Sequence, residues 1–383
     1  MKLERDELTW LTYAQLGANG FFLYGVGSTL GLLREELDVS RAVAGLHGTA
    51  TAGGALVSAL AIGALVHRIG RAQLMWAGLA LLAVGVASYS TVAALPLTLT
   101  GAFLAAFGGS CIVVLSSAVL ADRHGHSGPA AISEGNAVAA GIGGIAPLAV
   151  GASVALGLGW RPALLVIVPY AIVVAVLGRA VHVPPPTPLP DGSATDRLPR
   201  RYWVSWVVVT AGVAVEFSLT LWAADLLYSR AGMSRSGSAA AISAIVGGMF
   251  VGRIVGGRLA LHRSLDVLLQ GAIAVAGVGF FGFWLSEVWP VSVVSLFACG
   301  LGVSLFYPLG IARALAASEG KPDLASARAG LGAALAVGAG PFGLGALADN
   351  VGIHAAFLVV PALLVVAAVG VRLSPHPSPR LTT

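Results

Sequence analysis

The stretch AFLVVPALLVVAAVGV (356–371) carries no charged residue from end to end, and LMWAGLALLAVGVASY (74–89) repeats the pattern. An α-helix needs about 20 predominantly apolar residues to cross a hydrocarbon core about 30 Å thick. Backbone groups inside lipid must be satisfied internally, so only helices and closed barrels can span a membrane. A barrel strand would instead alternate between apolar and polar residues over about 10 positions. These unbroken blocks therefore predict membrane-spanning helices.

Twelve such blocks run along the chain, and almost every charged residue lies between them. Only 10% of the 383 residues are charged, against about 25% in soluble domains. The 51 glycines suit the close approach of helices in lipid. The sequence thus predicts an all-α polytopic membrane protein. We place its spans at 10–33, 42–66, 72–94, 96–121, 130–157, 161–181, 202–228, 237–261, 265–286, 290–317, 324–348 and 353–373.

The basic residues are distributed unevenly between the two sides of the predicted membrane. Seventeen Lys and Arg residues group with the termini, and five lie on the opposite side. Cytoplasmic loops carry an excess of basic residues, so we expect both termini in the cytoplasm. The N-terminal segment MKLERDELTW mixes both charge signs and leads into a full-length span, which indicates an uncleaved first helix. An Arg-rich, Lys-poor composition suggests a bacterial cytoplasmic membrane.

One long polar segment, HVPPPTPLPDGSATDRLPRR (182–201), interrupts the series of spans. Its prolines are incompatible with a regular helix. We interpret it as a cytoplasmic linker between an N-terminal six-helix bundle (1–181) and a C-terminal six-helix bundle (202–383).

The two halves resemble each other at a shift of about 194 residues. LDVSRAVAGLHGTATAGGAL (37–56) aligns with AGMSRSGSAAAISAIVGGMF (231–250), and Pro147 aligns with Pro341. An even number of spans per half makes the repeats parallel in topology. In transporters built this way, the halves rock about a site at their interface near the middle of the membrane.

The loop after span 2, GALVHRIGR (63–71), carries the most specific motif in the chain. It resembles the signature G-x-L-x-D-R-x-G-R of the major facilitator superfamily, and the resemblance extends over nearly the whole chain. It implies a bacterial 12-helix permease with two pseudo-symmetric bundles. In that family the Asp of the motif is thought to latch the cytoplasmic side through the N-terminus of helix 11. The matching positions are Gly63, Leu65, Arg68, Gly70 and Arg71, whereas His67 replaces the Asp.

His67 therefore implies a weaker latch than the family's usual one. The segment GLGALADNVG (343–352), between spans 11 and 12, is a looser echo of the same loop.

Glu216 is the most informative charge inside a predicted span. It lies about 21 Å from the start of span 7, at 1.5 Å per residue, and no Lys or Arg shares that span. Ionisable residues at this depth are rare and usually functional. This position suits a carboxyl that binds a proton and releases it as a cavity opens to either side. A neutral acid hydrogen-bonded to a backbone carbonyl is the alternative.

Two further sets of charges are candidate gates. Arg34 and Asp225 fall at the outer ends of spans 1 and 7, which meet on the outer side in the family, so the pair could close an outer gate. Family resemblance also sets helix 5 beside helix 8, so Glu134 could pair with Arg253 or Arg258 and close an inner gate. Solvated helix-end charges, or arginines that extend to the headgroups, are the alternatives.

Other polar residues inside the spans are candidates for the lining of a central cavity. Among them, His47 has a side chain that ordinarily titrates near neutral pH. Each of these residues could instead form a hydrogen bond between helices. The set comprises Asn19, Tyr24, His47, Asn136, Tyr307 and Arg313.

The leading hypothesis is a secondary transporter that moves a small solute by alternating access, coupled to protons through Glu216. The family resemblance slightly favours efflux, because many bacterial relatives with this layout export metabolites or drugs. Proton-coupled uptake and an uncoupled facilitator remain alternatives, and a membrane sensor that does not transport is an alternative of another class. The sequence shows no phosphate-binding loop, zinc motif or nucleophile elbow. We therefore expect no enzymatic activity, no cofactor, no metal site, no nucleic-acid partner, and a monomer in the lipid bilayer.

Overall fold

The computed structural model describes residues 4–185, 197–259, 263–319 and 322–374. These residues are nearly all helical and contain twelve helices long and apolar enough to cross a membrane, which confirms the predicted fold class. Residues 186–196, in the middle of the predicted linker, lie outside the described part of the chain. In chain order the spans are Glu7–Glu36, Arg41–Ile69, Arg71–Thr91, Leu95–His124, Gly128–Ala155, Arg161–Leu165 with Ile167–Gly178, Arg200–Arg230, Arg235–Leu259, Leu265–Leu285, Trp289–Val303 with Phe306–Ala316, Pro322–Val351, and Ile353–Ala356 with Val359–Leu373.

Three spans are interrupted, and a proline explains each interruption. Spans 6, 10 and 12 break near residues 166, 304–305 and 357–358, and Pro169, Pro308 and Pro361 follow a few positions later. Proline has no N–H to donate to the carbonyl four residues earlier, so the helical ladder loses a bond at that point. The apolar pattern located these spans, but it did not reveal that they are broken.

The antiparallel series of twelve crossings defines two faces of the molecule. We call the side where span 1 begins at Glu7 and span 12 ends at Leu373 the terminal face. The opposite side, where span 1 ends at Glu36 and span 2 begins at Arg41, is the far face. Some connections are very short: Gly70, with a φ of 84°, alone separates spans 2 and 3 on the terminal face.

Glycine contacts repeat between the two halves at the 194-residue shift found in the sequence. A Cβ atom added to Gly54 in span 2 would collide with the Phe103 carbonyl in span 4, and one added to Gly248 in span 8 would collide with the Phe297 carbonyl in span 10. Close backbone approach of this kind is how small residues hold helices together in lipid. The repeat is therefore visible in the packing as well as in the sequence.

Candidate functional site

A cavity of about 780 Å³ lies between the two halves. Its walls come from spans 1, 2, 4, 7, 10 and 11, and they use the parts of spans 2 and 11 that run from mid-membrane to the terminal face, Thr51 to Leu60 and Arg328 to Val337. The cavity therefore occupies the terminal-face half of the molecule. The polar residues in its wall are Asn19, Thr51, Ser110, Tyr307 and Arg328.

Close helix packing between the halves closes the molecule on the far-face side of this cavity. Spans 2 and 11 meet where the Thr49 hydroxyl donates to the Gly338 carbonyl at 3.0 Å. Near the far-face end of span 2, a Cβ atom on Gly45 would lie 2.9 Å from the Phe342 Cα. Spans 5 and 8 approach equally closely, since a Cβ atom on Gly151 would lie 2.7 Å from the Ser236 carbonyl oxygen.

A network of charges reinforces the far face. Asp225, at the end of span 7, is only 3% exposed and forms ion pairs with two arginines of the first half. The distances are 2.8 Å from Arg41 Nε and 3.5 Å from the Arg34 guanidinium. Arg235 at the start of span 8 pairs with Glu35 of span 1. The structure thus brings together Arg34 and Asp225 of the predicted outer gate, and it adds Arg41 to them.

Asp349 makes a second link across the far face. One of its carboxylate oxygens accepts from the backbone N–H of Arg41 at 2.9 Å, and the other accepts from that of Ala42 at 2.8 Å. These donors are two of the free N–H groups at the start of span 2, where the helix dipole also favours a negative charge. A carboxylate of span 11 therefore caps a helix of the other half.

The position of Asp349 in its loop corresponds to that of His67 in the signature loop. Gly345, Leu347 and Gly352 surround Asp349 at the spacing with which Gly63, Leu65 and Gly70 surround His67. The looser echo between spans 11 and 12 thus carries the carboxylate that the loop between spans 2 and 3 lacks. On the terminal face, His67 and Arg68 are exposed, while Arg71 is buried and pairs with Asp122 of span 4 at 2.7 Å.

Glu216 is buried, 8% exposed, at the junction of spans 1, 7 and 8. It does not face the cavity, whose wall includes its neighbour Phe217. Arg253 of span 8 interacts electrostatically with both Glu216 and Tyr24 of span 1. No basic residue shares span 7 with Glu216, but Arg253 of the neighbouring span 8 lies close enough to interact with it electrostatically.

The predicted inner-gate pairs do not form in this conformation. Glu134 instead binds Arg5, which precedes span 1, with its Oε1 2.6 Å from Arg5 Nε. Arg253 interacts with Glu216, and Arg258 is exposed. The physical reason is that spans 1 and 5 pack against each other on the terminal face, so Arg5 reaches Glu134 within its own half.

Of the other predicted cavity residues, Asn19 and Tyr307 line the cavity, and three do not. His47 is fully buried between spans 2 and 4, where Nε2 lies 2.9 Å from the Thr98 hydroxyl. Asn136 is exposed and donates to the Ile132 carbonyl of its own helix. Arg313 is 1% exposed and interacts with Asp266 of span 9 at 3.2 Å. In this conformation these three side chains, like Tyr24, lie outside the residues that line the cavity.

Sequence reasoning missed Arg41, Arg328 and Asp349. Arg41 lies just before predicted span 2 and Arg328 near the start of predicted span 11, so depth in the membrane gave no reason to single them out. Asp349 had one available signal, the spacing of glycines around it, which matches that of the signature loop. Among the described residues, no group of three or more His, Cys, Asp or Glu side chains is arranged to hold a metal ion.

A cavity between two repeated six-helix halves, closed on one face and extending toward the other, is the architecture of an alternating-access carrier. The sequence model of the Major Facilitator Superfamily matches residues 13–286. The chain belongs to this superfamily, as the signature loop predicted, and is a secondary transporter of a class whose members are in general carriers rather than enzymes. No curated protein matches the sequence significantly.

Solved structures with this fold include two of a bacterial homologue of the human lysosomal transporter Spinster. Its inward-facing, occupied form has a TM-score of 0.70 at 16% identity, covering 98% of this chain and 93% of the other. Its inward-facing, unoccupied form has a TM-score of 0.68 at 16% identity, with coverages of 98% and 94%. A single-residue variant of the E. coli fucose:proton symporter has a TM-score of 0.62 at 19% identity, with coverages of 95% and 98%.

Proposed function

We propose that this protein is a proton-coupled exporter of a small solute in the cytoplasmic membrane of a bacterium. In this proposal both termini are cytoplasmic, the protein acts as a monomer, and residues 1–181 and 202–383 move as two bundles joined by the 182–201 linker. The uneven distribution of basic residues supports the orientation. The terminal face is then cytoplasmic, and the conformation described here is inward-facing, like both forms of the Spinster homologue.

The interaction between the buried Glu216 and the half-buried Arg253 carries the proposal of proton coupling. A carboxylate that is removed from water is stabilised by a nearby guanidinium, and taking away either charge leaves the other less well compensated. Protonation of Glu216 would therefore release Arg253 from its partner. Tyr24 and Glu216 belong to spans 1 and 7 and Arg253 to span 8, so the change acts on the contact between the halves. A proton bound at Glu216 can thus alter the equilibrium between inward-facing and outward-facing states.

The far-face contacts must break and re-form during each transport cycle. In the outward-facing state, Arg34 and Arg41 must leave Asp225, and the start of span 2 must leave Asp349. On the terminal face the ion pairs described above, Arg5 with Glu134 and Arg71 with Asp122, join residues of the same half. The Arg71–Asp122 pair can persist while the halves rock. The terminal-face gate of the outward-facing state needs contacts between the halves, for which Glu134, Arg253 and Arg258 remain candidates, and Glu134 would then exchange Arg5 for an arginine of span 8.

Proton flux in proteoliposomes tests the proposal. Purified protein is reconstituted with a pH-sensitive dye trapped inside, and a panel of metabolites and drugs is screened for solute-dependent pH change. Glu216→Gln should abolish that change, whereas Glu287→Gln, which neutralises an exposed far-face carboxylate, should leave it intact. Solute-dependent proton flux that survives Glu216→Gln would remove Glu216 from the coupling mechanism. The direction of the pH change under an imposed solute gradient separates antiport, expected for an exporter, from symport.

An uncoupled facilitator is the second candidate, and the proximity of Arg253 to Glu216 is the observation that favours it. A permanently ionised, charge-compensated pair would hold spans 1, 7 and 8 together without titrating. The same vesicles distinguish the two, because a facilitator moves radiolabelled solute down its gradient with no change in internal pH.

A further inference from the structure

The wall of the cavity is predominantly apolar, with a single charged group. Five of the residues that line it have polar side chains, and among the described lining residues Arg328 alone is charged. Apolar ligand sites of this kind derive affinity from buried hydrocarbon and orientation from a few polar groups. A sugar or another densely hydroxylated solute would leave most of its hydrogen-bonding groups without partners here, which costs free energy for each group.

Arg328 is available to bind a ligand. Its side chain is exposed to the cavity, and it makes no ion pair or side-chain hydrogen bond with the described residues. Its backbone is fixed, because the Trp206 indole N–H donates to the Arg328 carbonyl at 2.7 Å. The guanidinium that this backbone carries presents a planar array of donors that matches a carboxylate, sulfonate or phosphate.

The buried acid of span 7 does not offset this positive charge. Glu216 lies outside the cavity wall and interacts with Arg253. A cation entering the cavity would therefore meet Arg328 without meeting an accessible carboxylate among the described lining residues. The electrostatics of the wall favour an anion over a cation of the same shape.

The polar and apolar groups are also separated along the cavity. Arg328 stands at the terminal-face end of the span 11 segment that lines it, whereas Phe22, Phe217 and Val337 lie nearer mid-membrane. A ligand with its charge at Arg328 would place its remaining length among apolar side chains. Burying that length contributes about 25 cal/mol for each Å² removed from water.

Given the proposed transport function, on which this inference rests, we infer that the substrate is an amphiphilic organic anion. It combines an apolar body with one carboxylate, sulfonate or phosphate group, and Arg328 binds the anionic group. Arg328 is thereby assigned as the residue that determines charge specificity.

A matched series of probes tests the inference at equilibrium, with no gradient present. Protein in nanodiscs is titrated calorimetrically with 4-phenylbutyrate, 4-phenylbutylamine, 4-phenylbutanol and butyrate, and the heats from empty nanodiscs are subtracted. The wild type should bind 4-phenylbutyrate at least tenfold more tightly than the amine, and more tightly than butyrate, which lacks the apolar body. Arg328→Gln should reduce the preference for the anion over the amine to less than threefold while leaving 4-phenylbutanol binding unchanged. Arg328→Lys should retain part of the preference.

The control is Arg372→Gln, which removes an exposed arginine at the terminal-face end of span 12, outside the cavity. It should behave as the wild type, which separates a local contact from the effect of net charge. Tighter binding of the amine, equal binding of all three phenyl probes, or a preference that survives Arg328→Gln would overturn the inference. The inference would also be overturned if no probe bound to protein whose cooperative unfolding shows that it is folded. These binding results do not depend on proton coupling. The proposed function is tested separately, by measuring proton flux in vesicles that contain the Glu216→Gln variant.

Discussion

Glu216 and Arg253 show how a membrane protein accommodates a charge far from water. Each would be costly to bury alone, and together they leave a smaller net field in the apolar interior. The contribution of each residue to the stability of the fold therefore depends on the presence of the other. A pair of this kind is well suited to a step in which one charge is removed by a proton.

A double-mutant cycle measures this dependence. Glu216→Gln and Arg253→Gln should each lower the free energy of unfolding, and the double variant should be more stable than the sum of the two losses predicts. We expect a coupling energy of about 1–3 kcal/mol, measured by reversible unfolding in mixed micelles. The matched cycle on Arg230 and Glu287, an exposed pair at 3.1 Å, should give less than about 1 kcal/mol. Additive effects at Glu216 and Arg253 would contradict the proposed pairing.

Asp6 provides a residue-scale prediction at the edge of the membrane. Its carboxylate caps span 1 by accepting from the Thr9 backbone N–H at 2.9 Å, and it pairs with Arg123 at 2.7 Å. Partial burial acts in the opposite direction, but the hydrogen bonds from Thr9 and the charge of Arg123 lower the pKa of Asp6 below 3.8. A carboxyl with a lowered pKa stabilises the folded state above its unfolded pKa, and that contribution is lost as the pH falls through the folded value.

Asp6→Ala should therefore cost about 1 kcal/mol near neutral pH, and the cost should shrink as the pH falls below about 4. Thermal unfolding of purified protein between pH 3 and pH 7 measures both effects. Glu7→Ala is the control, since it removes a neighbouring exposed carboxylate that does not cap the helix. A penalty for Asp6→Ala that stays constant across this range would contradict the role assigned to its ionised form.

The depth of the charged residues in the membrane could be predicted from the sequence, but most of their partners could not. The depth of Glu216 and the proximity of Arg34 to Asp225 follow from span boundaries and from the family's helix order. The contact of Arg253 with Glu216, and that of Arg5 with Glu134, depend on which faces of two helices meet. In a chain of apolar helices without strong amphipathic patterning, the sequence does not show which face of each helix points toward its neighbour. The same reason applies to His47 and Arg313, which lie outside the cavity wall in this conformation.

At the scale of elements, Asp349 and span 2 form the most specific contact between the halves. The carboxylate holds two N–H groups at the helix start, and such charge-assisted bonds are stronger than those between neutral groups. The contact exists only when the far face is closed, so it stabilises that state selectively. At the corresponding position of the terminal-face loop, the exposed His67 offers no permanent negative charge.

Removing this cap should shift the conformational equilibrium. Asp349→Ala loses about 1–2 kcal/mol of far-face stabilisation, which changes the ratio of the two states roughly 5–30-fold. Spin labels at Leu158→Cys and Val288→Cys, on far-face loops of the two halves, report the change as a larger population of long distances in pulsed dipolar spectra. The two native cysteines, both buried, are replaced by serine.

Asn350→Ala is the matched control for that experiment. Asn350 is the adjacent residue, and its side chain donates to Ala346 of its own helix. Its removal should leave the distance distribution unchanged. If Asp349→Ala and Asn350→Ala gave the same distribution, the cap could not be what holds the far face closed.

At the scale of the whole molecule, the repeat explains why the halves can act as units. Gly54 and Gly248 make equivalent backbone contacts in the two halves, as do Gly85 and Gly279. These contacts tie spans 2, 3 and 4 together, and likewise spans 8, 9 and 10, without side chains that would need to repack. The contacts between halves instead combine small residues with separable charges, an arrangement that allows the halves to part while each remains intact.

The twelve-span architecture was predictable because its signal is redundant. Eleven of the twelve spans in the described part of the chain exceed the about 20 residues that a crossing needs, so small errors at their ends did not change the count. The repeat was predictable because its landmarks, such as Pro147 and Pro341, stand at fixed spacing. The conformation was not predictable, since closure of the far face depends on a few contacts, among them Asp349 with span 2, whose partners lie about 300 residues apart in sequence.

A cross-link between the halves tests whether transport requires this closure to open. Thr49 and Gly338 lie in contact between spans 2 and 11, with a Cβ atom on Gly338 3.6 Å from the Thr49 Cα. Oxidising Thr49→Cys with Gly338→Cys, in a background lacking both native cysteines, should trap the state in which the far face is closed. Transport should stop and should return on reduction. If the cross-linked protein still transported solute, the cavity would have to open to the far face by a route other than separation of spans 2 and 11.

The control is a disulfide within one half. Ser58 and Cys111 join spans 2 and 4, with Oγ and Sγ 3.2 Å apart, so Ser58→Cys can form a disulfide with the native Cys111. Because the first half is expected to move as a unit, this bond should leave transport intact after oxidation. A block of transport by both disulfides would show instead that spans 2 and 4 must move relative to each other. That result would support a mechanism in which helices move within one half, rather than one in which two rigid halves rock.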